Sequence, residues 1–139
     1  MTAVLRRLAP SLLLLAPDLA VAEDLVAVSD TAMAITGDIV FDDFGITFAN
    51  GEALVFDELV GDSFVVGSET VPASVYSVEN PSDPILLNGN ALCGAGDVTY
   101  LANWTGFDGT SSVIAVFTTP DVPESDADMC ASYAYEYAE

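Results

Sequence analysis

Positive charge is almost absent from this sequence. Its 139 residues include two basic side chains, no histidine and 22 acidic side chains, and both basic residues, Arg6 and Arg7, lie within the first seven positions. The rest of the chain has no side chain that could form a Schiff base, act as an imidazole base or clamp a phosphate. We expect no nucleic-acid binding and no attraction to an anionic membrane surface, because both depend on positive side chains.

Long apolar runs are also missing, and this bounds the role of the amino terminus. The apolar stretch 11–16 follows Arg6 and Arg7 and precedes the small-residue sequence 20–22. It is far shorter than the roughly 20 residues that a membrane-spanning helix needs. The pattern predicts a signal peptide, residues 1–22, cleaved after Ala22. The mature part, residues 23–139, is then a single acidic domain in the periplasm or outside the cell, with no stable membrane insertion.

The predicted mature chain is strongly acidic. Asp18 is the only acidic residue before Glu23, so 21 carboxylates remain and no basic side chain is left to pair with them. One interpretation is a solvated, self-repelling surface adapted to a saline habitat. The other is electrostatic steering toward a partner of opposite charge, either a basic protein or a metal ion.

Cysteine is scarce, with two residues in the whole chain, Cys93 and Cys130. An even number of cysteines in an exported chain favours a disulfide bond between them. Two free structural thiols are the alternative.

The spacing of apolar residues predicts an all-β domain. Strands are expected at 34–41, 46–48, 53–60, 63–66, 73–78, 98–104, 113–118 and 130–137, separated by glycine, proline and asparagine turns. A helical turn starting at Ser29 or Asp30 is expected before the first strand. Seven to eight short strands with these connections are typical of a small antiparallel sandwich or barrel.

Two groups of residues are candidate sites. The acidic residues Asp121, Glu124, Asp126 and Asp128 crowd one loop and offer oxygen ligands for calcium, although the EF-hand spacing is absent. A solvated acidic loop with no cofactor is the favoured interpretation, and calcium binding is the alternative. Tyr133, Tyr135 and Tyr137 fall on one face of the last strand, where they form either a stacking surface for a sugar or peptide or a row of core residues. Trp104 is expected in the core.

A resemblance adds to the expectation of export. The segments 35–38, 46–51, 86–94, 98–101 and 130–136 resemble small exported β-rich proteins of alphaproteobacteria, a group with no assigned activity. The resemblance implies export and the cysteine pair, and it supplies no catalytic residue.

Serine and threonine are plentiful, but no histidine or lysine is present to activate them as nucleophiles.

These observations predict a non-enzymatic exported module that binds another macromolecule, with a cationic partner favoured. A calcium-binding structural protein is the alternative, and a carboxylate-based hydrolase is less favoured.

Overall fold

A closed antiparallel barrel forms the centre of the computed structural model, which describes residues 22–139. The predicted signal peptide, apart from Ala22, lies outside the described residues. The strands are β1 (Glu23–Ala27), β2 (Ile39–Phe41), β3 (Gly45–Thr47), β4 (Ala53–Val66), β5 (Glu69–Ser82), β6 (Val98–Thr105), β7 (Ser111–Phe117) and β8 (Ala131–Tyr137). Short helical turns span Ala32–Thr36, Leu87–Gly89 and Asp126–Asp128. Within residues 22–139, no helix has the length and apolar character needed to cross a membrane.

The strands follow one another around the barrel in chain order. Each strand pairs antiparallel with the next, and β8 pairs with β1 to close the barrel, with Leu25 opposite Tyr137. This arrangement confirms the all-β antiparallel prediction and selects the barrel over the sandwich. Because successive strands run in opposite directions, the β1–β2, β3–β4, β5–β6 and β7–β8 connections lie at the same end.

Side chains fill the barrel. Alternate residues of each strand face inward, as the pleat requires. The resulting cluster includes Leu25, Ile39, Phe41, Ile46, Leu54, Phe56, Tyr76, Val78, Leu101, Ile114, Val116, Tyr133 and Tyr135, all buried. Ala32, Phe48, Leu86 and Leu92 join this cluster from the connections, so the end of the barrel that carries them is closed by packed loops.

The connections at that end are held together by polar contacts as well. The Asn88 side-chain amide donates to the Ala34 carbonyl at 2.9 Å, and the Ala49 amide donates to the Thr36 carbonyl at 3.1 Å. Gly37 ends the helical turn at a φ of 65°, a conformation that favours glycine. A Cβ at Gly37 would lie 2.5 Å from the Ala49 Cβ, so close packing of two connections depends on this glycine.

A second core lies outside the barrel, under the long β4–β5 hairpin. The far part of the hairpin, residues 60–73, is here called the hairpin arm. Phe64 of the arm stacks on Trp104 at 5.2 Å between ring centroids and contacts Phe117 edge-on at 5.7 Å. Ala115 and Phe117 of β7 belong to this second core, whereas Ile114 and Val116 face the barrel interior. The arm therefore covers the outer face of β6 and β7.

The predicted strand boundaries were wrong where glycine and proline were taken as breaks. Gly61 lies inside β4, within a run of register shifts between Phe56 and Ser63 that bends the strand. Pro72 lies inside β5. The pairing of β5 with β6 begins only at Ser74, so the N–H that proline lacks is not needed for a hydrogen bond to β6. The predicted strand 34–41 is shorter because residues 32–36 form a helical turn, and the strand Glu23–Ala27 was not predicted.

Candidate functional site

The two cysteines form the predicted disulfide. Cys93 and Cys130 are bonded, with their Cα atoms 5.6 Å apart. Cys93 lies in the β5–β6 connection and Cys130 immediately before β8, so the bond ties together two connections at the closed end. A disulfide is compatible with a protein of an oxidising compartment.

Two of the three candidate stacking tyrosines lie in the barrel interior. Tyr133 and Tyr135 are buried, with the Tyr133 hydroxyl donating to the Leu92 carbonyl and the Tyr135 hydroxyl 2.7 Å from Thr36 Oγ1. They occupy the core positions that were the alternative to a binding surface, and their rings are not accessible to a ligand. Tyr137 is 48% exposed and remains at the surface.

Burial raises the pKa of three tyrosines. It raises the pKa of Tyr76 to about 12, assisted by the hydrogen bond that its hydroxyl donates to Asp43 Oδ1 at 2.7 Å. Burial also raises the pKa of Tyr133 to about 12, with a smaller contribution from the negative charge of Asp83. The pKa of Tyr135 is raised by burial too, against a lowering by its hydrogen bond with Thr36. All three phenols are held neutral in the folded protein.

We expect the fold to lose stability between about pH 10 and pH 12, because an unfolded tyrosine ionises near 10. Because the pKa values of these phenols are raised in the folded protein, their contribution to its stability is fully present below pH 10. This stabilisation, about 2 to 3 kcal/mol each for Tyr76 and Tyr133, is lost as the pH rises through the folded pKa. The circular dichroism signal and the part of the tyrosinate absorbance that comes from the three buried tyrosines should change together. Ionisation of all tyrosines near pH 10 with the fold intact would contradict this expectation.

Of the four acidic residues of the candidate calcium loop, one is hydrogen-bonded to the hairpin arm and three line a groove at the surface. Both oxygens of Asp126 accept from the Gly67 amide at 3.2 Å, which fastens the loop to the tip of the hairpin arm. Asp121, Glu124 and Asp128 line a shallow surface groove. In the part of the chain from 22 to 139, no three acidic or cysteine side chains converge closely enough to hold a metal ion. Calcium binding by this loop stays a prediction.

An apolar groove lies on the opposite half of the barrel, which the hairpin arm leaves uncovered. This sheet groove is formed on the outer face of β2, β3 and β4 around Val40, Phe44 and Val55. Their side chains are 41%, 63% and 54% exposed. Gly45 lies between them, opposite Val55, and its lack of a side chain opens the groove. A Cβ at Gly45 would lie 2.7 Å from the Leu54 carbonyl oxygen.

Carboxylates flank the sheet groove. Asp24 lies directly across from Val40 on β1, and Asp57 follows Val55 on the exposed face of β4. Asp42 lines the groove, and its Oδ1 accepts from the amides of Phe44 at 2.7 Å and Gly45 at 3.0 Å, which fixes the turn that carries the phenylalanine. No lysine, arginine or histidine occurs in the described residues to neutralise these charges. The site offers apolar contact surrounded by negative charge.

The sheet groove was not predicted from the sequence. One signal was available. Phe44 is a large apolar residue within a turn of acidic and glycine residues, so it does not belong to the alternating pattern of a strand. A large apolar residue in such a turn is exposed unless another element covers it. Val40 and Val55 gave no signal of their own, because they read as ordinary strand residues.

No protein family, curated protein or solved structure matches this chain. Its function has to be inferred from the residues and the geometry described above.

Proposed function

We propose that this chain is an exported, non-enzymatic domain that binds a cationic protein through the sheet groove. The observation that carries the proposal is the exposure of Val40, Phe44 and Val55 on the one half of the barrel that the hairpin arm does not cover. Exposed apolar clusters with polar rims are typical of protein interaction sites. Phenylalanine is one of the aromatic residues that are enriched at protein interfaces.

The charge around the groove favours a basic partner. Asp24, Asp42 and Asp57 flank the apolar residues, and the described chain supplies no cation of its own. A partner carrying lysine or arginine would gain complementary contacts at the rim and would be steered toward the surface by the net charge. An acidic partner would be repelled. The same charge makes association dependent on salt.

Export supports a partner in the cell envelope or outside the cell. The predicted signal peptide, residues 1–22, is the basis for this assignment, and the disulfide between Cys93 and Cys130 is compatible with it. Basic secreted enzymes are one class of partner that would meet an acidic exported domain in such a compartment.

Phe44→Ser should weaken the binding of a basic protein about tenfold, because it removes the most exposed apolar contact without changing any charge. The probes are lysozyme and cytochrome c, titrated into the protein by calorimetry at low and at physiological ionic strength. The wild type should bind at least one of them at both ionic strengths, more weakly at the higher one.

Phe107→Ser is the matched control, since Phe107 is equally exposed but lies in the β6–β7 turn, away from the groove. It should change affinity less than twofold, because Phe107 lies outside the proposed contact surface. Equal affinities of wild type, Phe44→Ser and Phe107→Ser would show that any association is charge alone, and the sheet groove would lose its role.

A further inference from the structure

A second groove lies at the end of the barrel opposite to the disulfide, where β6 and β8 finish. It is an open groove of about 290 Å³, lined by residues of the barrel and of the base of the hairpin arm. The lining combines one carboxylate, Asp62, with the amide of Asn103, the hydroxyls of Ser74 and Thr105, and the aromatic residues Trp104 and Tyr137. The mouth of a β-barrel is a common place for a small ligand.

Trp104 lines this groove, and its indole N–H is a hydrogen-bond donor. Its side chain is only 7% exposed, because Phe64 stacks on its ring. A buried indole N–H normally has an acceptor. Among residues 22–139 the indole N–H has no hydrogen-bond partner, whereas the side-chain amide of Asn103 has two. A ligand acceptor in the groove would satisfy this group.

Two hydrogen bonds from its Nδ2 hold the Asn103 side chain in place and leave Oδ1 available as an acceptor. Its Nδ2 donates to Ser112 Oγ at 2.8 Å and to the Val113 carbonyl at 3.0 Å, which uses both of its N–H bonds. The Oδ1 atom remains as an acceptor on a fixed side chain. Asp62 contributes a second acceptor from the arm, since the arm places it beside the barrel end. The groove therefore presents donors and acceptors together.

We infer that this groove binds a small polyhydroxylated ring, such as a monosaccharide. Each hydroxyl of a sugar both donates and accepts, so one ligand can accept from the Trp104 N–H and donate to Asp62 and Asn103. The half-exposed ring of Tyr137 at the edge of the groove offers an apolar face for a sugar ring. A small organic cation would satisfy Asp62 and could lie on Tyr137, but it would leave the Trp104 N–H without an acceptor. The inference does not depend on the sheet groove.

The sole tryptophan of the chain lies in the site, so its fluorescence reports binding directly. D-glucose, D-galactose and N-acetyl-D-glucosamine are the probes, with choline as the cationic comparison. At least one sugar should change the emission of Trp104 in a saturable way, with a dissociation constant of about 1 to 10 mM, as expected for a ligand of this size. Choline should give no saturable change.

Asp62→Asn should weaken sugar binding about tenfold or more, because a charge-assisted hydrogen bond is lost. Glu58→Gln, also a change of an exposed β4 carboxylate but outside the groove, is the matched control and should leave affinity unchanged. Trp104→Phe keeps a ring against Phe64 and removes the N–H, and calorimetry should show a similar loss. Circular dichroism verifies that each variant is folded.

Three results would overturn the inference. They are the absence of any saturable response to the three sugars, saturable binding of choline without sugar binding, and equal affinities of the wild type, Asp62→Asn and Trp104→Phe.

Discussion

Replacing both Cys93 and Cys130 by alanine is expected to lower the free energy of unfolding by about 4 kcal/mol. The two residues are 37 positions apart, and the bond between them reduces the number of conformations that the unfolded chain can adopt. It also ties the β5–β6 connection to β8 at the end of the barrel where the loops pack. Urea unfolding of the wild type, the double variant and the reduced wild type gives the measurement.

The reduced wild type serves as the control for the substitutions. It should lose nearly as much stability as the double alanine variant, because both lack the covalent link while only one lacks the sulfur atoms. A loss below about 1 kcal/mol in both proteins would mean that the packed connections hold this end of the barrel without the bond.

Phe64→Ala is expected to cost about 3 to 5 kcal/mol and to loosen the hairpin arm from the barrel. The side chain is fully buried and joins the arm to both Trp104 and Phe117. Its loss removes the centre of the second core, which contains few other large side chains. Urea unfolding measures the cost. The Trp104 emission should move to longer wavelength as the ring becomes hydrated.

Phe44→Ala is the matched control for this substitution. The two residues are chemically identical, but Phe44 is exposed and should change stability by no more than about 0.5 kcal/mol. A cost for Phe64→Ala that is no larger than this would contradict the view that the arm is held by its apolar contacts.

The sequence predicted the parts of the fold that depend on local alternation. The strands β6 and β8 follow from alternate apolar residues, and Trp104 is buried as expected. Tyr133 and Tyr135 share a face as predicted, and that face is the core. The antiparallel arrangement followed from turn residues between short apolar segments, whereas the strand number agrees only because the missed β1 offsets the division of β4 into 53–60 and 63–66.

The hairpin arm could not be predicted, because it depends on contacts between residues far apart in the chain. Gly61 and Pro72 signal strand breaks in isolation, yet the structure accommodates both within long strands. The contact of Phe64 with Trp104 joins positions 40 residues apart, and no local pattern encodes it. The groove at the barrel end shares this origin, since Asp62 reaches it only through the path of the arm.

The closing pair of strands sets the order in which the chain can complete its fold. Seven of the eight strand pairings join neighbours along the sequence, whereas β1 and β8 come from opposite ends of the described chain. If the chain emerges from the membrane amino terminus first, β1 must wait for β8 before it gains its second neighbour, and Cys93 must wait for Cys130. Until then one edge of the growing sheet stays unpaired and the Cys93 thiol stays free.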